Sequence, residues 1–360
     1  MIVVVGAGVV GLACAWAVAR RGRPVCVIER HARAGQETST HNSGVVHAGL
    51  YHPPASLKTR LCHEGRDQLY AFCRQFNVPC TICGKLVVAG PGEEAALDDL
   101  EGSAAANGIR LERLDRRAVQ VHEPYVAASA GLWSAHSGWI EAEAYVRRLA
   151  AEVERHGGVF LPATPLVALE PRRDAGLVVV TPRERIDAAV VVNAAGLFAD
   201  DVSRMAGGDP FTIFPCRGEY AELAPRARER VRGLVYPVPH SSGHGLGVHL
   251  TKTIGGAVWI GPTIRYQDGK LDYEGGRLPL EAFLAPTQRL LPGITLDDLR
   301  LGGSGIRAKL HSPAERFADF LIRQDSRVPA LIHAAGIDSP GLTASLAIGE
   351  YVAKIVEASC

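Results

Sequence analysis

The sequence predicts an α/β protein: a Rossmann-type nucleotide-binding domain assembled from several chain segments, with an inserted α+β domain that carries a mostly antiparallel sheet. Three observations predict it. The first thirty residues run strand, glycine turn, helix, strand and acid, the order of a dinucleotide-binding βαβ unit. A second apolar run, Val190 to Asn193, ends in the small residues Ala194, Ala195 and Gly196, which let a backbone pass close to a ligand at a strand's carboxyl end. Between residues 211 and 300, short alternating stretches bounded by turn residues read as an antiparallel sheet.

The elements follow in order. Ile2 to Val5 is a buried strand, since all four residues are apolar. Gly6, Gly8 and Gly11 serve a tight turn, close approach to a pyrophosphate and tight helix–strand packing, and the helix N-terminus adds free N–H groups. Ala13 to Arg20 is a helix ended by Gly22, Pro24 to Ile28 is a second strand, and Glu29 stands where a ribose hydroxyl would donate. Both NAD and FAD use such a unit. The polar run 39–44 leads into Val45 and suits a loop around a polar ligand, or a capped loop with none. A helix is expected from about Ser56 to Phe76, with Leu57, Leu61, Leu69 and Phe72 on its apolar face. Gly84 to Ala89 is a strand, Glu93 to Asn107 a helix, and 131–140 strand and turn. A helix over 141–156 and strands over 178–181 and 189–193 return to the first domain. Strands are expected at 211–214, 218–223, 234–238, 247–251 and 258–260, then a helix at 281–291. The tail holds the glycine-rich stretch 301–307, a strand at 330–336, a loop and a helix over 342–357. The expected division is 1–83, 141–210 and 301–360 in the nucleotide domain, with 84–140 and 211–300 in the inserted one.

Composition bounds the function. A net charge of +1 gives no reason to expect nucleic acid. Residues 1–19 are uncharged, but no Lys or Arg precedes the apolar run and three glycines interrupt it, so it reads as structure and not as a leader or a span. The eight cysteines are scattered, which fits a reducing compartment and a cytoplasmic location. Cys80 and Cys83 have redox-pair spacing, yet no second Cys or His pair accompanies them, so plain thiols are favoured and no metal is expected.

The fingerprint together with HNSGVVHAGLYH at 41–52 resembles the FAD-dependent oxidoreductases of the D-amino-acid oxidase superfamily, and within it the L-2-hydroxyglutarate dehydrogenase/oxidase branch. GKLVVA at 84–89, RGEY at 217–220, LGVHLTKTIGG at 246–256, GIRAKL at 305–310 and SPGLTASLAIG at 339–349 extend the resemblance over nearly the whole chain. It implies FAD as cofactor and hydride transfer from a small 2-hydroxy acid. Oxygen and a quinone both remain open as electron acceptor, as does a peripheral contact with the inner membrane. The candidate cofactor contacts are Gly6, Gly8, Val9, Val10, Gly11, Glu29 and Arg30 in the fingerprint, and Thr40, His41, Asn42, Ser43 and Gly44 in the loop. Ala194, Ala195 and Gly196 follow, then Arg307, Gly336, Ser339, Gly341, Leu342 and Thr343. His41 has the His-x-x-Gly setting in which some amine dehydrogenases attach flavin; non-covalent binding is the expectation.

Oxidising an α-hydroxy acid needs a cation for the carboxylate and a base for the hydroxyl proton. Arginine supplies a bidentate fork, so Arg307 and Arg217 are the candidates, with Arg60 more simply a solvated helix charge. His249 ranks first as base, with a pKa expected near neutrality, and His47 second. Tyr220 and Tyr236 are candidate hydroxyl donors, and Lys252 and Lys309 candidates for a distal carboxylate. The other readings are an amino-acid or amine oxidase, a glycerol-3-phosphate dehydrogenase, and a non-catalytic flavin-binding redox module.

Overall fold

The computed structural model describes residues 1–173, 175–239 and 247–359. Leu246, the first residue of the LGVHLT motif, lies outside the described residues. The fingerprint strand Ile2–Val5 sits inside a six-stranded sheet, ordered Leu321–Gln324, Leu331–Ala335, Val190–Asn193, Ile2–Val5, Val25–Ile28, Val159–Leu161. All neighbours are parallel except the edge pair of Leu321–Gln324 with Leu331–Ala335. Strands covered on both faces must be apolar throughout, and the central pair Ile2–Val5 and Val25–Ile28 is. Ile2 and Val4 pack against the helix layer, while Val3 and Val5 face the three-stranded meander Ala168–Pro171, Leu177–Val180, Arg185–Ala188.

Small residues set the helix layer. A Cβ added to Gly349 in the terminal helix Gly341–Ala358 would lie 2.5 Å from the Ala13 carbonyl of helix Val9–Ala19. One added to Gly65 in helix Leu57–Phe76 would lie 2.6 Å from the Thr343 carbonyl. Three helices therefore touch through backbone, and the terminal helix brings the chain's end back to its start. Ala17 to Ala19 are buried in this layer as part of the first helix.

The second sheet has nine strands. Its path runs Arg265–Tyr266, Phe214–Leu223, Val258–Gly261, His249–Lys252, Leu234–Pro237, Lys85–Ala89, Ala130–Ser134, Glu112–Asp115. Leu299–Lys309 pairs along Phe214–Leu223. Neighbours are antiparallel except Leu234–Pro237 with Lys85–Ala89. Where the sequence expects a return to the first domain at residue 301, the eleven-residue strand Leu299–Lys309 runs along Phe214–Leu223 in the second sheet, interrupted by one bulge. A strand expected from Phe211 begins only at Phe214, since the Ile213 N–H donates to the Asp200 carboxylate at 3.1 Å. The strand Glu112–Asp115 and helix Arg116–His122 escape the sequence reading because each buries one residue and shows no periodicity. The strands Val159–Leu161 and Ala168–Pro171 escape it too, being three and four residues long. Among the described residues no helix is long and apolar enough to cross a membrane, and seven cysteines, Cys80 and Cys83 included, are free thiols.

Candidate active site

Between the two sheets lies a cavity of about 1250 Å³. Small-molecule pockets run roughly 300–1,000 Å³, so this one has room for a dinucleotide and a small substrate together. At its nucleotide end the glycine turn meets the second signature. Gly6 has φ +101°, and a Cβ there would stand 2.6 Å from the Ala194 carbonyl oxygen. A Cβ on Gly11 would stand 1.9 Å from the Gly6 carbonyl, so only glycine lets the helix start against the strand. Ser39 Oγ accepts the Val9 N–H at 2.9 Å. Glu29, buried beside the cavity, accepts the Ala7 N–H on one oxygen at 2.8 Å and the His31 N–H on the other at 2.9 Å. Those bonds fix the carboxylate and leave lone pairs for a ribose. The Arg30 guanidinium lies 3.8 Å over the Phe198 ring and pairs with Glu37. Burial works to raise the Glu37 carboxyl, but hydrogen bonds from Tyr273, His31 and Arg30 outweigh it and hold it below the usual range.

The loop 38–44 is pinned from within. Asn42 Oδ1 accepts the Gly44 N–H at 2.8 Å, and its Nδ2 donates to the Ser39 carbonyl at 2.8 Å. Gly44 has φ +66° and passes so near the Ile140 carbonyl that a Cβ would stand 2.5 Å from it. Thr40 donates to the Gly35 carbonyl, and His41 Nδ1 bonds the Glu37 carbonyl at 2.9 Å. Thr343 Oγ1 accepts the His47 N–H at 3.0 Å, which ties the terminal helix to this loop. Fifteen of the candidate cofactor contacts line the cavity, Val10, Ser43, Ala195, Gly196, Ser339 and Leu342 among them. Gly11, Thr40, Gly44, Gly336, Gly341 and Thr343 stand behind the wall and shape it.

At the other end are the titratable groups. His249 is 6% exposed and faces the cavity, while Leu250 points into the core behind. Its ring stacks on Tyr236 at 3.8 Å and 14°. Its Nδ1 lies 3.1 Å from the Gly247 carbonyl, which can only accept, so Nδ1 carries the proton and Nε2 keeps its lone pair. Burial pushes the imidazole down to about 3, so it is neutral at any ordinary pH; the expectation of a value near neutrality is corrected. His47, also lining the cavity, approaches Ser339 Oγ through Nε2 at 3.3 Å and is held well below its ordinary value by burial and by Lys85.

Arg307 lines the cavity and bonds only carbonyl oxygens and the Cys216 sulfur, at 3.3 to 4.0 Å. Among the described residues no carboxylate pairs with it. Arg217 corrects the expectation made for it. It is wholly buried, bonded to Glu219 and to the Asp272, Gly275 and Gly276 carbonyls, and does not reach the cavity. Tyr220 lines the cavity, edge-on to Trp259. Lys252 stays away from it, beside Glu229, and Arg60 lies over Tyr351.

Three groups went unforeseen. Lys85 is fully buried without a hydrogen-bond partner among the described residues, between the Tyr51 and Tyr236 rings at 4.5 and 4.7 Å. Burial brings it down to about 7. Its signal was a lysine heading an otherwise apolar strand. Lys58 pairs with Asp338 at 2.7 Å on the cavity wall, and nothing in their own segments announces it. Ser39, which caps the fingerprint helix, sits in the polar run that drew notice as a whole.

The depressed histidines make acid a destabiliser. His52 falls to about 4 and His249 to about 3, against an ordinary 6.5. Between those values the unfolded chain binds more protons than the folded one, so stability falls as pH drops through the window. The Tm of the holoenzyme is expected to decrease from pH 6.5 to 4.5, less steeply in His249→Asn; equal slopes would speak against this origin.

The βαβ cradle, the buried acid at the end of its second strand and an adjoining pocket with a neutral histidine and an arginine that pairs with no carboxylate among the described residues define a dinucleotide-dependent oxidoreductase. Residues 1–355 match the family described as FAD dependent oxidoreductase, DAO, and the chain belongs to that family. It is 33% identical to the mitochondrial L-2-hydroxyglutarate dehydrogenase of Arabidopsis thaliana, over 98% of this chain and 82% of that one. Identity is 31% with the Caenorhabditis elegans enzyme of the same name, over 98% and 92%. Among solved structures, L-alpha-glycerophosphate oxidase from Mycoplasma pneumoniae with FAD bound superposes with a TM-score of 0.90 at 25% identity, covering 99% of this chain and 94% of that one. Glycine oxidase from Geobacillus kaustophilus gives 0.85 at 20%, over 99% and 94%. The protein is thus an FAD-dependent enzyme, and the cradle at Gly6, Gly8 and Glu29 fits that cofactor. Gly6→Ala is expected to yield colourless protein, read as lost flavin absorbance; a yellow variant would show that the cradle tolerates a Cβ.

Proposed function

We infer that the enzyme oxidises a small L-2-hydroxy acid, 2-hydroxyglutarate or a close analogue, to the 2-oxo acid. The observation that carries this reading is the pairing, in one cavity, of an arginine with no carboxylate partner and a histidine whose Nε2 has no hydrogen-bond partner among the described residues. The names of the relatives support the substrate class. When bound, FAD supplies the acceptor for a hydride from the carbinol carbon. Arg307 grips the substrate carboxylate through its fork and fixes which face of the carbinol carbon is presented. His249 Nε2 takes the hydroxyl proton, so that the oxygen can close to a carbonyl. The Gly247 carbonyl holds the ring's tautomer, and the Tyr236 ring holds its plane.

The test is anaerobic addition of hydroxy acids, amino acids and glycerol 3-phosphate to the holoenzyme, following the flavin absorbance. Bleaching by L-2-hydroxy acids alone is expected. Bleaching by amines alone would overturn the reading, and by no member of a broad panel would favour a non-catalytic flavoprotein. Readmitting air or adding a quinone then identifies the electron acceptor by which one restores the colour, and binding to vesicles tests a peripheral membrane contact.

A further inference from the structure

Lys85 opens a strand whose other residues are apolar, and its side chain has no exposed surface. The second sheet places it relative to the base. His249–Lys252, Leu234–Pro237 and Lys85–Ala89 are successive neighbours there. Leu234 opposes Thr251 on one side and Lys85 on the other. Opposed residues share a face, as do residues two apart, so Lys85, Tyr236 and His249 rise from the same face of three adjacent strands. Tyr236 stands on the middle one. Its ring stacks on His249 at 3.8 Å, and the Lys85 ammonium lies 4.7 Å from the centre of the same ring. Tyr51 covers the ammonium at 4.5 Å, and the two tyrosines line the cavity that Lys85 does not reach. The other titratable or charged groups near the pair are Cys62 on helix Leu57–Phe76, His47 in the loop, and Arg307, which faces His249. None is a carboxylate, and burial pushes the Cys62 thiol up to about 12, so it brings no negative charge at neutral pH. An ammonium with no hydrogen-bond partner among the described residues and no contact with water is costly, and burial brings Lys85 down to about 7. The two histidines lie lower still, so any proton this cluster holds at neutral pH sits on Lys85.

Turnover adds a second charge. When His249 Nε2 takes the hydroxyl proton, an imidazolium forms against the Tyr236 ring that already faces the ammonium, and one ring serves two cations less well than one. We propose that Lys85 is a positioning residue for the base: through Tyr236, its charged form opposes the imidazolium of His249 and its neutral form permits it, so flavin reduction is switched on as Lys85 loses its proton. This rests on the reading of His249 as base above. Two unit charges less than about 9 Å apart at an effective dielectric of about 20 oppose each other by roughly tenfold to thirtyfold in an equilibrium constant.

The experiment follows the rate of anaerobic flavin reduction by saturating 2-hydroxyglutarate from pH 5.5 to 8.5, in wild-type holoenzyme, Lys85→Met and Lys85→Arg. The wild-type rate is expected to rise roughly tenfold to thirtyfold around pH 7 and to level at both ends. Lys85→Met should be fast and flat. Lys85→Arg, charged throughout, should be flat at the slow level. A second readout does not use activity. The Lys85 ammonium loses its proton near 7 when folded and near its ordinary 10.5 when unfolded. Between those values the unfolded chain binds more protons, so stability rises with pH. The Tm of the wild type relative to Lys85→Met should therefore climb from pH 7 to pH 9, and a constant difference overturns the proposal. A wild-type rate with no step between pH 6 and 8 overturns it whether or not the variants fold, and leaves the hydroxy acid reading standing. So does a step that persists in Lys85→Met, or one that still responds to Lys85 in His249→Asn protein. A flavin that no hydroxy acid reduces overturns both.

Discussion

Arg307→Ala is expected to lower kcat/KM for a 2-hydroxy acid by about thirtyfold to several-thousandfold. The range follows from roughly 2–5 kcal/mol for truncating one partner of a buried charged pair. The loss should appear mainly in KM, because the carboxylate is gripped before and during reaction alike. Flavin content should be retained, since among the described residues the guanidinium bonds only the Cys216 and Thr263 carbonyls and the Cys216 sulfur. Arg217→Ala should behave differently. Its guanidinium is bonded to Glu219 and three carbonyls with no exposed surface, so its removal should lower Tm and leave KM near the wild-type value in protein that folds. A KM within threefold of wild type in flavin-loaded Arg307→Ala would remove the carboxylate clamp.

The second large effect is expected at His249. His249→Ala should lower kcat by about 10²–10⁴-fold, the range for a lost general base. The kcat/KM profile reports the free enzyme, in which His249 is held near 3. Between pH 5 and 8 that profile should therefore carry no acid limb from this residue. A bound carboxylate beside the ring favours its charged form, so any limb from His249 belongs in the kcat profile and should vanish in the variant. If His249→Ala keeps near-normal kcat, the role passes to His47, whose Nε2 faces Ser339 in the same cavity. The same two measurements on His47→Ala decide that case.

What was legible in the sequence was what is contiguous. Strand, Gly6, Gly8, Gly11, helix, strand and Glu29 lie within thirty residues, and each spacing is set by backbone geometry that a few neighbouring residues dictate. The inward face of His249 was legible for the same reason, because alternation along a strand needs no knowledge of the partner strand. The sequence by itself thus determined the dinucleotide unit, the family and the cavity-facing side of the strand that carries His249. The two arginines were different. Both stand in recognisable motifs, but their roles depend on how Phe214–Leu223 registers against Leu299–Lys309. Cys216 opposes Arg307, while Arg217 opposes Ile306. Opposed residues share a face and adjacent residues do not, so one register step sends Arg307 to the cavity and Arg217 to the interior. Lys58 meets Asp338 across 280 residues, and Lys85 enters between Tyr51 and Tyr236 from a third segment. No local pattern encodes such meetings. The first is made between two segments of the nucleotide domain and the second where the second sheet meets it, and burial there holds His249 neutral and leaves Arg307 and Lys309 facing the same space.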